Sequence, residues 1–358
     1  MPKSGWKIGS RKAAPHRRTL RHALAWATAA GLSIVLAGCG FGASAPASKP
    51  HTAISPTAVQ GKTTQSKAAQ SKAAQPQTGL GGALSVIIDN QSAARPQSGL
   101  ARADMVFEAL TEGGITRFLA LFWSRPASQI GPVRSTRIYF DQLARAYHLP
   151  LAHAGGNVDA LKAIKPWHIE NIDQIWTPGA GAYFWRTSTR QAPHNLYTST
   201  TLLLKAARAY GLPLGPVPAW QQGTMPGGAK ATRLTLTFSG VEQVDWTYKG
   251  GLYTRLESGA PDPTLAGNPI RTRAVLILIT PASPDPDPYT PGSIKLAMTG
   301  SGPGYLAAGG RIWHIAWHRA SARPFTFTRA SGSDPVLIPP APLWVELMPA
   351  QAGVAYSP

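Results

Sequence analysis

Glycine and proline punctuate this chain densely enough to decide its class. With 36 Gly and 33 Pro in 358 residues and only 14% charged side chains, against roughly 25% in ordinary soluble chains, the composition suits short strands joined by turns rather than a helical bundle. At roughly 100–200 residues per domain, the length suggests about two domains. Leu84–Asp89 is an apolar run ending at an acid and reads as a buried strand. Residues 105–111 and 115–123 are apolar runs around Gly113-Gly114, a two-residue hairpin signal. Residues 136–148 carry apolar side chains at 138, 140, 143, 144 and 147, a helical spacing behind Ser135 as candidate N-cap. Residues 151–153 read as a strand before Gly155-Gly156, Asn157 can cap a short helix over 158–164, and 198–210 predicts a third helix stopped by Gly211 and Pro213. This mixture makes 83–212 an α+β or α/β N-terminal domain. Residues 213–230 form a Pro/Gly linker. Beyond it, β-rich runs at 233–238, 243–248, 252–256, 273–280, 293–299, 311–317, 324–328 and 343–347 show no helical period, and predict a small all-β C-terminal domain over 231–350. Within it, GSGPG at 300–304 reads as a turn, and Pro284, Pro286 and Pro288 place 281–291 in a loop.

The charge is unevenly spread. The chain has 35 Lys and Arg against 16 Asp and Glu, a net +19. Residues 1–38 hold seven basic side chains and no acid, and residues 39–82 hold four lysines and no acid. The remaining 24 basic residues face all 16 acidic ones, so the folded part is only modestly basic and no nucleic-acid partner is expected. The uncharged run 23–38 would span about 24 Å as a helix, short of the roughly 30 Å hydrocarbon core. With its basic flank and small terminal residues it reads as a secretory signal over 1–38. Cys39 is the one cysteine of the chain, which excludes an intramolecular disulfide and a Cys-based zinc site. Leu36-Ala37-Gly38-Cys39 resembles the lipobox of bacterial lipoproteins, which implies a diacylglyceryl anchor on Cys39 at the extracytoplasmic face of the membrane. Two acyl chains suffice for stable anchoring. Residues 39–82, with their near-repeat QSKAAQSKAAQP, lack apolar periodicity and read as a flexible tether.

No GxSxG, HExxH, P-loop or EF-hand pattern occurs, and no cofactor or metal is expected. His314 and His318 lack a third ligand, and Asp285 and Asp287 read as turn-formers. Pairing across Gly113-Gly114 would set Glu108 opposite Leu119 and Leu110 opposite Arg117, placing Glu108, Glu112 and Arg117 on one face. Such a group is either an acid/base set or a salt-bridge network. In IGPVRSTR, Arg134 and Arg137 flank the start of the 136–148 helix. Cations at a helix N-terminus are unfavourable unless carboxylates or a bound anion accompany them. Asp89, Glu108 and Glu112 are candidate carboxylates, and a phosphate or carboxylate of a ligand is the alternative. Arg186, His194 and Asn195, in a loop-like stretch with Tyr183 and Trp185, complete the candidate recognition set.

These segments, IIDN, ARPQSGLARADMVFEALTEGGITRFLALF, IGPVRSTR, HAGG, FWR and APHNLYTS, together with VDWTYKGGLYTR, TGSGPGYLAAGGRIWHIAWHR and LWVEL, resemble the YerB-like family of bacterial lipoproteins. The resemblance covers roughly 83–350. It implies two domains of unknown function and a lipid anchor, and supplies no reaction. The expectation is a membrane-tethered protein that binds an anionic envelope ligand through Arg117, Arg134, Arg137 and Arg186. A protein-interaction scaffold is the alternative, and a carboxylate-dependent enzyme using Glu108 or Glu112 with His194 ranks third.

Overall fold

A computed structural model describes residues 79–257, 259–332 and 334–358. The leader, Cys39 and nearly all of the tether lie outside these residues. The first half contains strands β1 Leu84–Asp89, β2 Met105–Leu110, β3 Thr116–Phe122, β4 Leu151–His153 and β5 Asn171–Asp173, and the short pair β6 Trp185–Arg186 and β7 Leu196–Tyr197. Its helices are α1 Ile138–Ala146, α2 Val158–Ile164 and α3 Thr200–Ala209. The second half adds strands only: β8 Ala229–Lys230, β9 Arg233–Thr237, β10 Gln243–Lys249, β11 Leu252–Glu257, β12 Ala260–Pro261, β13 Arg271–Thr272 and β14 Ala274–Thr280. β15 Ala282–Pro284, β16 Ile294–Leu296, β17 Gly300–Ala308, β18 Arg311–Arg319, β19 Thr326–Arg329, β20 Leu343–Pro349 and β21 Gly353–Ser357 follow.

One sheet of 11 strands runs through both halves in the order β19-β18-β17-β14-β20-β2-β3-β1-β4-β5, with β8 beside β18. β20 lies between β14 and β2, parallel to both, with Trp344 beside Val106 and Glu346 beside Glu108. MVFEAL and LWVELMP are buried along their whole length, and such strands need a neighbour on each side and cover on both faces. Side-chain alternation divides the cover. Val86, Ile88, Val106, Phe118 and Ala120 face the second sheet, β12-β11-β10-β9-β21 with β13 beside β11, through Leu234, Val244, Trp246 and Tyr253. Ile87, Met105, Phe107, Leu119 and Leu121 face the other way, toward Tyr139, Phe140 and Leu143 of α1.

Four local expectations change. The β2–β3 connection is a turn over 111–115 rather than a two-residue one, and Glu108 pairs with Phe118 and Leu110 with Thr116. That one-residue slip reverses the faces: Glu108 turns toward the second sheet while Arg117 turns toward α1. Helix α1 begins at Ile138, so Ser135 is not its cap. Ser135 Oγ donates to Ala154 O at 2.9 Å, and Thr136 Oγ1 bonds Asp141 inside the first turn at 2.5 Å. GSGPG is strand rather than turn. A Cβ on Gly304 would sit 2.5 Å from Ile277 O, and one on Gly302 2.6 Å from the Trp317 ring, so these glycines serve close approach. The hairpin turn is Gly309-Gly310, with φ of 59° and 72°. Residues 282–284, read as loop, pair with 294–296.

Candidate functional site

Strands β1, β2, β4, β5, β14 and β20 all run the same way, since β3 is antiparallel to both β1 and β2. Their carboxyl ends therefore share one edge of the sheet, where open α/β sheets present crevices for ligands. Six of the residues nominated from sequence converge there.

Asp89, the buried last residue of β1, stands opposite Arg117 across the β1–β3 ladder. Its Oδ2 lies 2.7 Å from His194 Nδ1 and 3.1 Å from Arg134 Nε, and its Oδ1 accepts the Gln91 N–H at 3.2 Å. Glu112 sits in the single 3-10 turn after β2. Its Oε2 accepts Arg137 Nε at 3.0 Å, and its Oε1 is shared by Arg117 Nη2 at 3.1 Å and Arg137 Nη2. Arg117 also donates to Ser135 O at 3.0 Å. The strap that carries the arginines is pinned at both edges: Arg134 N donates to Ile87 O at 3.1 Å, and Ala154 N donates to Arg134 O at 3.0 Å. Burial alone would raise the Glu112 pKa, but Arg117 and Arg137 outweigh it and bring it down to about 2. Burial and the nearby Arg137 work against the charge on Arg117, and its pKa is lowered despite Glu112 and Asp89.

Three guanidiniums meet two carboxylates, so one positive charge is left over. It falls on Arg134. Arg137 and Arg117 are committed to Glu112 inside the protein, whereas Arg134 is 24% exposed and engages Asp89 through Nε. Its two Nη atoms, like Nε2 of His194, have no hydrogen-bond partner among the described residues. Arg186 belongs to the support: it donates to Asn195 Oδ1 at 2.8 Å, and Asn195 donates to Thr187 O at 3.1 Å. Together with Trp185 stacked on Tyr197 at 6.2 Å, these bonds shape the 185–197 hairpin that delivers His194. Arg190, which the sequence reading passed over, ties that hairpin to the carbonyls of Ala94 and Pro96.

Glu108 is not part of this site. It lies on the opposite face in a buried group between the two sheets. There Arg255 donates to it at 2.8 Å and also pairs with Glu257 and Asp262. Trp344 Nε1 donates to Glu108 at 3.1 Å and Trp246 Nε1 to Glu346 at 2.8 Å. Arg95 bridges Glu257 at 2.7 Å and Glu242 at 3.2 Å. Five carboxyls thus face two guanidiniums. Burial first, then neighbouring carboxylates, push Glu242 up to about 9 and raise Glu346 well above its ordinary range. This group escaped the sequence reading, although one signal was present: Glu108, Arg255 and Glu346 each interrupt an apolar strand in phase with its buried side chains.

The other nominated residues serve structure. Asp287 Oδ2 accepts the Val158 N–H at 2.8 Å and Asp285 Oδ2 accepts Asn157 Nδ2 at 3.0 Å, so both aspartates secure the start of α2. His318 lies between Ser301 and Thr328, 2.9 Å from each hydroxyl, and His314 packs on Tyr305. Among the described residues, no three or more His, Cys, Asp and Glu side chains form a metal-ligand set, and no helix is long and apolar enough to cross a membrane. A recess of about 520 Å³ lies elsewhere, lined by Ser98, Arg102, Gln129, Thr201, Thr264 and Asn268. It shares no residue with the Arg134 site, whose chemistry is the denser.

Residues 81–212 match the family model described as "Protein of unknown function (DUF3048) N-terminal domain", and residues 234–345 match its C-terminal counterpart. The chain is 40% identical over 131 residues to YerB, a lipoprotein candidate of Bacillus subtilis (strain 168). That match spans 37% of this chain and 39% of the relative. The crystal structure of the YerB protein from Bacillus subtilis superposes with a TM-score of 0.68 at 26% identity, covering 78% of this chain and 97% of the other.

Proposed function

Since the chain belongs to the DUF3048 family and is similar to YerB, we propose that it is a lipoprotein, held by Cys39 at the extracytoplasmic face of the membrane, whose sheet edge binds an anionic envelope ligand. The observation that carries the ligand reading is Arg134. Its Nε lies 3.1 Å from the buried Asp89 carboxylate in an ion pair, without a hydrogen bond, and its two Nη atoms, with no protein acceptor among the described residues, form a fork open to solvent. A guanidinium held in this way is pre-organised for a bidentate phosphate or carboxylate. Arg117 and Arg137 contribute positive field and hold Glu112 in place, and Arg186 contributes through the hairpin. The lipobox and the name of the relative support the anchor.

The anchor and the site are tested separately. Cys39→Ser should move the protein from the membrane to the aqueous fraction, and no change in partition would remove the anchor. Calorimetric titration of the full chain in detergent with phosphate- and carboxylate-bearing envelope polymers should show binding that survives moderate salt, is lost in Arg134→Ala and is kept in Arg102→Ala. Binding that disappears with salt in every variant would reduce the site to surface charge. Ile175, packed at the Gly155 turn next to the strap, and its neighbour in sequence Trp176, 53% and 69% exposed, favour a second reading in which a protein partner docks there. Co-purifying partners lost in Trp176→Ala would support that reading.

A further inference from the structure

His194 is held in a way that anion binding alone does not require. Its Nδ1 bonds a fully buried carboxylate, Asp89, at 2.7 Å. That bond makes Nδ1 the protonated nitrogen and leaves Nε2 as a base, and Nε2 has no partner among the described residues. A buried carboxylate behind an imidazole orients the ring and stabilises the imidazolium formed when Nε2 takes a proton. The same Oδ2 holds Arg134 Nε at 3.1 Å, so the base and the open guanidinium fork are set side by side by one atom. The 185–197 hairpin, braced by Arg186, Asn195 and Arg190, fixes the ring from the other side.

Three features select the substrate. Arg117, Arg134 and Arg137 against Asp89 and Glu112 leave one uncompensated positive charge, which matches a monoanion. The two free Nη atoms of Arg134 match two non-bridging oxygens on one centre. No Ser, Thr or Cys side chain bonds His194 Nε2 among the described residues, so the nucleophile is water. A phosphodiester meets all three conditions. Resting on the anion-site reading above, we propose that Asp89 and His194 are a proton-transfer pair and that the site hydrolyses phosphodiesters held on Arg134. Nε2 takes a proton from water as the water oxygen bonds phosphorus. The P–O bond to the leaving alcohol breaks in line, the departing oxygen takes a proton from solvent water on the far side of phosphorus, and the imidazolium returns its proton to solvent. The products are a phosphate monoester and an alcohol, and no redox step occurs. His194 and Arg134 touch the substrate; Asp89 is a positioning residue.

The full chain in detergent is assayed with bis(p-nitrophenyl) phosphate, with phosphatidylglycerol vesicles and with poly(glycerol phosphate), while calorimetry with diethyl phosphate reads binding independently. The expected result is turnover that falls at least about 100-fold in His194→Gln with diethyl phosphate affinity unchanged. Asp89→Asn should lower kcat and alter the pH profile of the residual rate, with a smaller rise in KM from loss of the Arg134 ion pair, and circular dichroism checks that it folds. Arg134→Ala should lose both turnover and binding. Cleavage of the vesicle lipid or of the polymer identifies which source of phosphodiester is used. Binding of diethyl phosphate with no cleavage of any of the three substrates, or wild-type turnover in His194→Gln, would overturn the hydrolytic proposal and leave the anion site standing. Absence of binding would overturn both.

Discussion

Glu112 anchors two guanidiniums at once, and one of them, Arg117, is almost entirely buried. Removing it leaves a buried charge without its partner, which is costlier than losing a surface ion pair. Glu112→Ala should therefore lower stability by about 3 kcal/mol in urea unfolding. The pH dependence has a definite sign. The folded pKa of Glu112, about 2, lies below its unfolded value, so its contribution is fully present above roughly pH 4.5 and is lost as pH falls toward 2. Acid unfolding of the wild type should show this loss, and Glu112→Ala should be flatter across the window. At this scale the sequence was a good guide to which residues matter and a poor guide to pairing. Arg117 and Glu112 were legible as neighbours, but Glu108 was assigned to the wrong face because a two-residue turn was assumed where the chain spends five residues.

At the scale of elements, helix α2 depends on a residue more than a hundred positions away. It is seven residues long, too short to be stable through its own hydrogen bonds, and Asn157 makes no side-chain cap. Asp287 takes that role by accepting the Val158 N–H. Asp287→Ala should cost about 1 kcal/mol and raise amide hydrogen exchange in 158–164, whereas Asp287→Ala without faster exchange there would mean that the cap does not hold the helix. The position of α2 was legible from Asn157 and Pro166; its real cap was not, because Asp287 lies in a Pro-rich segment with no local reason to approach it. The β17 strand carries the same lesson. Three glycines and a proline within GSGPG read locally as a turn, and only Ile277 and the Trp317 ring opposite explain why side chains are missing there.

The whole molecule is joined by a buried carboxyl group that straddles its two sheets. Glu242, raised to about 9, keeps its proton when folded and gives it up near pH 4.5 when unfolded. The folded state therefore binds more protons across that interval, and stability falls as pH rises from about 5 toward 9. Glu346 shifts in the same direction. The melting temperature should drop by roughly 5 °C or more over this range, and Glu242→Gln, which resembles the protonated carboxyl, should flatten the dependence. An equally steep curve in the variant would place the titration elsewhere. The same group ties the halves together, since Arg255 of β11 reaches Glu108 of β2 while lying over the edge-to-face pair Phe118 and Trp344, 5.4 and 5.5 Å from their centroids.

The sequence by itself determined most of the longer strands of the second half, though not β17 or β21, as well as the three short helices, the family resemblance and the residues that furnish the Arg134 site. These follow from local period, turn chemistry and short motifs, which act over a few residues. Tertiary structure decided that Leu343–Pro349 inserts beside Met105–Leu110 rather than closing a sheet of its own, that Asp89 rather than Glu108 stands behind His194, and that Arg134 alone of the three arginines keeps its Nη atoms free of protein acceptors among the described residues. A side chain's face depends on its own strand, but its partner depends on which strand lies next to it and in what register. Both are settled by contacts between residues far apart in the chain.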